Sequence, residues 1–117
     1  MKNITALTSS MNRSEYLENT IENCLKINNL KSHIVIDYSS KTPVEKSVDI
    51  NHPNLKIYRI DNQEAWSISR AYNAGFSLIE TDYILKIDAD VEINYEMINK
   101  LDYENYDLII FSPNEND

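Results

Sequence analysis

A single glycine, Gly75, in 117 residues leaves no place for either common phosphate loop, since neither G-x-G-x-x-G nor G-x-x-x-x-G-K-[ST] can be written on this chain. A bound nucleotide diphosphate would have to be neutralised by a metal or by side chains, not by a glycine-lined helix N-terminus. The one cysteine, Cys24, excludes an internal disulfide, and its helical register with Leu17 and Ile21 makes it a small core residue. The two histidines, His33 and His52, stand apart without metal-ligand spacing. Lys and Arg number only 11 against 19 Asp and Glu, a formal net charge of −8, and the basic residues are scattered. Nucleic acid and anionic lipid are therefore not expected partners. No apolar run approaches the ~20 residues of a membrane span, and the N-terminus lacks the long apolar core of a secretion signal. A cytoplasmic location is the expectation that follows.

What is present alternates between strand and helix, which predicts an α/β fold with a mostly parallel sheet. The length suits one domain over residues 1–117, able to bury somewhat over ~60% of the surface of the unfolded chain. Strands are predicted over residues 4–8, 33–37, 55–60, 83–87 and 107–111. Asn12-Arg13-Ser14-Glu15 fits a capping box, with Asn12 accepting from the backbone of Glu15, ahead of a helical stripe of Leu17, Ile21, Cys24 and Leu25. A second helix starts near Ser67 and puts Ile68, Ala71, Tyr72, Gly75, Leu78 and Ile79 on its apolar side, with Gly75 allowing close approach to the sheet. Residues 95–101 are predicted to form a short helix, and residues 113–117 are expected as a flexible tail.

The most informative segment is Asp88-Ala89-Asp90, placed where the apolar run Tyr83-Ile84-Leu85-Lys86-Ile87 gives way to polar sequence. In extended backbone, residues i and i+2 point to one side with Cα atoms about 6–7 Å apart, so both carboxylates can converge on one divalent cation, or on a cation and a sugar hydroxyl. Mg²⁺ and Mn²⁺ take oxygen ligands of this kind and complete their shells with phosphate oxygens. An acidic turn after a strand has the same local sequence.

Other polar segments line up with the acids. Thr8-Ser9-Ser10-Met11-Asn12-Arg13 follows the first strand and Asp37-Tyr38-Ser39-Ser40 the second, on the sheet edge where open α/β folds collect ligands. Arg70 and Asn73, three apart on the second helix, share a face. Taken singly, each has a plain alternative: turn serines, a capping aspartate, a solvated arginine.

With the segments 4–13, 34–43, 66–75 and 84–90 in this order, the chain resembles the N-terminal half of family 2 glycosyltransferases of the GT-A fold. The Asp37-Tyr38-Ser39-Ser40 segment and the run from Trp66 through Arg70-Ala71-Tyr72-Asn73 are most similar to the branch of galactosyltransferase N-terminal regions. The resemblance implies a three-layer, Rossmann-like GT-A sandwich, of which this chain holds the donor-binding half. It also implies a nucleotide-sugar donor, a UDP-sugar, bridged by Mn²⁺ or Mg²⁺ to the D-x-D acids. Carried over by residue, Asp90 is the main metal ligand and Asp88 contacts the ribose or the metal. Ser9 and the loop through Asn12 to Arg13 touch the nucleoside, Asp37 faces the base, and Arg70 faces the base or diphosphate.

Two departures stand out. Many members carry a second acid where this chain has Tyr38, which is then either a wall of the base pocket or a packing tyrosine. The acceptor site and catalytic base of inverting members lie well downstream of the D-x-D, whereas this sequence ends 27 residues after Asp90. Glu92, Glu96 and Glu104 fall in no family motif, and no residue is identified as the base. The functional expectation is a hexosyltransferase-type domain acting on a saccharide or other hydroxyl acceptor. Its alternative is a non-catalytic nucleotide-sugar-binding or interaction module, truncated or one half of a split enzyme; the sheet edge after Phe111 is where a second copy or a complementing chain would pair.

Overall fold

The computed structural model describes residues 3–106. Apolar strands form β1 (Ile4–Ser10), β2 (Leu30–Tyr38), β3 (Leu55–Ile60) and β4 (Tyr83–Lys86), joined by helices α1 (Ser14–Cys24), α2 (Val44–Ser47) and α3 (Ile68–Phe76). A short α4 (Tyr95–Asn99) and a 3₁₀ turn (Tyr103–Asn105) follow. All strand pairs are parallel, in the order β3-β2-β1-β4. Alternation along the strands sorts the core. Leu7, Ile34 and Ile36 pack with Ala71 and Tyr72 of α3, whereas Val35 packs with Leu17 and Ile21 of α1, and Ala6 with Cys24. Helices therefore cover both faces of the sheet. Every residue of β1 is buried, as expected for a central strand covered on both sides.

Gly75 is required by this packing. A Cβ at that position would run into Leu7 Cδ1 and come within 3.0 Å of Leu7 Cδ2, so α3 lies against β1 only because the side chain is absent. The apolar side of α3 is narrower than its sequence suggests: Ile68 and Leu78 are exposed, and the buried positions are Ala71, Tyr72 and Gly75. Ser67 Oγ accepts from the Arg70 N–H at 3.4 Å and caps the helix.

The structure corrects the sequence reading in other places. β1 runs on through Ser9 and Ser10, which pair with Ile36 and Asp37, so these serines belong to the strand and not to the following loop. The capping box at α1 does not form. Asn12 has φ 61° and sends its side chain across to the next loop, Arg13 takes the cap position, and no side chain bonds there. The helix α2 had no periodic signal because it is a single turn. The strand expected over residues 107–111 and the tail over 113–117 lie outside the described residues. Among the described residues no helix is long and apolar enough to cross a membrane.

The chain path places a gap at one edge. After β1 it moves outward to β2 and β3, then returns through α3 to β4 on the opposite side of β1. The sheet order reverses between β1 and β4, and ligands of open α/β sheets bind outside the carboxyl ends of the strands at such a point.

Candidate functional site

At the carboxyl end of β4 the backbone turns sharply: the Val91 N–H bonds to the Asp88 carbonyl at 3.1 Å. Ala89 in the middle of this turn is buried against Leu17, Ile21, Val35 and Val44, while Asp88 and Asp90 on either side are exposed. The Thr20 hydroxyl lies 2.9 Å from the Ala89 carbonyl and 3.1 Å from that of Val91, tying the turn to α1. The acids were expected on extended backbone. They reach the same solvent-facing edge through a turn instead, because the buried alanine anchors the segment between them.

The two carboxylates differ in their surroundings. Asp88 Oδ1 accepts from the Tyr72 hydroxyl at 2.8 Å and from Lys86 Nζ at 3.2 Å. The same ammonium lies 4.3 Å from the centroid of the Tyr72 ring. Burial, with the Asp88 carboxylate next, pushes the Tyr72 hydroxyl well above the usual tyrosine value, so it stays protonated and donates. Asp90 makes no hydrogen bond or ion pair among the described residues. Among those residues no group of three or more His, Cys, Asp or Glu side chains is gathered to hold a metal ion. The oxygen donors at this edge are therefore Asp88 Oδ2 and both oxygens of Asp90, a hard but incomplete set.

Across the switch point, the ends of β1 and β2 are clasped together. The Asn12 N–H donates to Ser40 Oγ at 3.0 Å, and Asn12 Oδ1 accepts from the Lys41 N–H at 2.8 Å. Ser9 and Ser10 are buried, and neither hydroxyl has a hydrogen-bond partner among the described residues. Asp37 is only 1% exposed. Its carboxylate accepts from the Ser40 N–H at 3.1 Å, the Val44 N–H at 2.9 Å and Arg59 Nη1 at 2.8 Å. Arg59 also donates to Asp61 Oδ1 at 2.6 Å and to the Ser40 carbonyl at 3.0 Å. Its guanidinium pKa is raised, first by the Asp61 hydrogen bond and then by that to Asp37.

Tyr38 is equally enclosed. It is 1% exposed, its hydroxyl donates to Gln63 Oε1 at 3.1 Å, and its ring meets Trp66 edge-to-face with centroids 5.6 Å apart. Tyr38 is thus packed inside the fold, and of this pair Trp66 is the ring that reaches the surface. Arg13 and Arg70 are exposed and make no ion pair among the described residues. The structure thus joins Asp37 to the Asn12 loop and sets Asp88 beside Asp90, but leaves both arginines free of either group.

Three contributors escaped the sequence reading. Lys86 stands two residues before Asp88, and that spacing was the available signal. Tyr72 falls in an apolar stripe and in the run that carries the resemblance, and neither reveals the partner of its hydroxyl. Arg59 reaches Asp37 across a strand pairing that no local pattern reveals.

Comparison with known proteins bears on this arrangement. The family described as Glycosyl transferase family 2 matches residues 5–115. A poly-beta-1,6-N-acetyl-D-glucosamine synthase of Staphylococcus aureus strain COL is 32% identical over 98 residues, covering 82% of this chain and 24% of the relative. The corresponding synthase of strain MSSA476 is 31% identical over the same length. The chain thus spans about a quarter of the length of the curated relatives it matches. Among solved structures, S. aureus TarS 1–349 superposes with a TM-score of 0.66 at 20% identity, over 82% of this chain and 30% of that one. The mannosyltransferase PcManGT of Pyrobaculum calidifontis, in complex with GDP-Man and Mn²⁺, gives 0.63 at 18% identity, over 76% of this chain and 28% of its own. The likeness to these two structures is one of fold, and the parallel sheet with flanking helices described above is the GT-A fold.

Proposed function

The chain belongs to glycosyl transferase family 2, and from that premise we propose that it binds a nucleotide-diphosphate sugar, a UDP-sugar, at the β1–β4 switch point for transfer of the sugar to a hydroxyl acceptor. The observation that carries this reading is the pair of exposed acids at the end of β4: among the described residues Asp90 has no partner and Asp88 has one oxygen free. Such a donor set fits Mn²⁺ or Mg²⁺ whose remaining ligands come from a diphosphate. A structural neighbour in complex with GDP-Man and Mn²⁺ supports the same chemistry.

In this reading Asp90 and Asp88 hold the cation. When bound, the cation supplies Lewis-acid stabilisation of the leaving diphosphate. Arg70, exposed and unpaired among the described residues, supplies further positive charge toward the base or diphosphate, and Arg13, also exposed, belongs to the loop at the nucleoside. Ser9 and the Asn12 loop border the nucleoside. Asp37 acts by holding the Ser39–Ser40 turn in place, because its carboxylate is already committed to two backbone N–H groups and Arg59. No carboxylate is assigned as the base for the acceptor hydroxyl.

A diphosphate charge ~4 Å from an aspartate is opposed by about 4 kcal/mol at an effective dielectric of 20, so binding without the cation should be weak. Thermal shift and calorimetry with UDP and with GDP, each in Mn²⁺ and in EDTA, test the reading. UDP should raise the melting temperature in Mn²⁺ and not in EDTA, because a ligand specific to the folded state stabilises it. Equal UDP affinity in EDTA would overturn the role given to the acids, and a preference for GDP would replace the donor base.

A further inference from the structure

Asp88 sits at a half-exposed position, its side chain 51% accessible, where an aspartate is ordinarily free to sample rotamers. Here it is not free. Tyr72 is 4% exposed, wedged by α3 into the cluster of Leu7, Ile34, Ile36 and Ala71, so its hydroxyl is delivered to one place. That hydroxyl has one proton to give and two acceptors nearby, the Ile87 carbonyl at 3.5 Å and Asp88 Oδ1 at 2.8 Å. The shorter, charge-assisted bond to the carboxylate takes it. Lys86 Nζ, held over the ring of the same tyrosine, donates to the same oxygen. Both donors therefore fall on Oδ1, and Oδ2 has no donor among the described residues.

We infer that Tyr72 is a positioning residue for Asp88: its hydroxyl pins Oδ1 to the sheet side so that Oδ2 is presented, in a fixed direction, as the oxygen that takes the cation. The inference rests on the metal-dependent donor site proposed above and adds the group that orients one of its ligands. Tyr72 is the anchor and Lys86 the accessory, because the tyrosine is fixed by buried packing whereas the lysine side chain is 47% exposed on a flexible stem. Groups that hydrogen-bond a ligating carboxylate orient it and tune its basicity, and their loss typically weakens metal binding about 10- to 100-fold.

The test is Tyr72→Phe, which keeps the ring in its cluster and removes only the donor. Mn²⁺ affinity is read from the electron paramagnetic resonance signal of free Mn²⁺, titrated in the presence of saturating UDP. The expected result is an affinity lower by about 10-fold or more, with the melting temperature of the metal-free protein close to that of the parent. In an Asp88→Asn background the same substitution should bring little further loss, since Tyr72 acts through that carboxylate. An equal fold-loss in both backgrounds would mean a general packing role and would overturn the inference. Asp90→Ala separates the two levels of the argument. If it abolishes Mn²⁺ binding while Tyr72→Phe binds like the parent, the positioning role is wrong and the metal site stands. If Asp90→Ala leaves Mn²⁺ affinity unchanged, the metal reading fails and takes the positioning role with it.

Discussion

Arg59 and Asp37 face each other as register partners on β3 and β2, and Arg59 Nη1 donates to Asp37 Oδ2 at 2.8 Å. This pairing turns a residue at the end of one strand into the organiser of the loop beyond it. The carboxylate also accepts from Ser40 and Val44, while the guanidinium reaches the Ser40 carbonyl at 3.0 Å, so the turn after β2 is gripped on both sides.

Asp37→Ala should therefore destabilise the fold. It strips an acceptor from two backbone N–H groups, and each buried group left unsatisfied costs about 1–3 kcal/mol. Arg59→Lys should not substitute for Arg59, since one ammonium cannot reproduce a planar fork bonded to three acceptors. Urea denaturation of the parent and both variants checks this. Parent-like midpoints would remove Asp37 from its role as organiser.

Gly75→Ala should lower stability even though alanine favours a helix interior by about 1 kcal/mol over glycine. The added methyl meets a terminal methyl of Leu7, which is fully buried, and overpacking of this kind costs about 1–3 kcal/mol. Leu7→Val in the same chain should recover part of the loss. A double-mutant cycle in urea with no coupling between the two positions would show that α3 simply shifts away.

His33 predicts an acid sensitivity. It is fully buried, with Nε2 2.8 Å from Thr8 Oγ1, and burial lowers its pKa from 6.5 to about 4. The folded state thus holds the neutral ring while the unfolded chain takes up a proton. The corresponding stability is complete above pH 6.5 and is lost as pH falls from there toward 4, amounting to about 3 kcal/mol over that span. His33→Gln should flatten the melting temperature profile between those limits. The same slope in parent and variant would assign the acid sensitivity to other groups.

Cys24 should be inert in the native protein. It is fully buried, and burial pushes its thiol up to about 12, leaving almost no thiolate at neutral pH. Labelling by a thiol-specific disulfide reagent should follow the unfolding curve in urea. Rapid labelling in buffer would mean that α1 opens locally from the sheet.

The elements legible in the sequence are those with a local period. The β1, β3 and β4 strands, the stripe of α1 and the Ser67 cap of α3 all rest on neighbours within a few positions, which the order of side chains already displays. Where the local signal was ambiguous, tertiary contacts decided. Asn12 looked like a helix cap, but its backbone N–H and side-chain oxygen found partners at Ser40 and Lys41, 28 and 29 residues away, and the capping box lost the competition. Ser9 and Ser10 looked like loop residues because they are polar, yet β2 carries the ladder through them by pairing Ile36 and Asp37 with these serines.

By itself the sequence determined that strands and helices alternate, that two acids stand at the end of the fourth strand, and that Gly75 sits where a helix must approach a sheet. Each of these follows from spacing along one element. Only the tertiary structure decided what those acids touch and which polar residues are used up internally. The Tyr72 hydroxyl reaches Asp88 over 16 residues and Arg59 reaches Asp37 over 22, distances spanned by strand order and helix docking and not by any periodicity. A carboxylate's availability to a ligand depends on whether such donors reach it first. Asp37 is bonded to Ser40, Val44 and Arg59 within the fold, whereas Asp90 meets no such donor among the described residues.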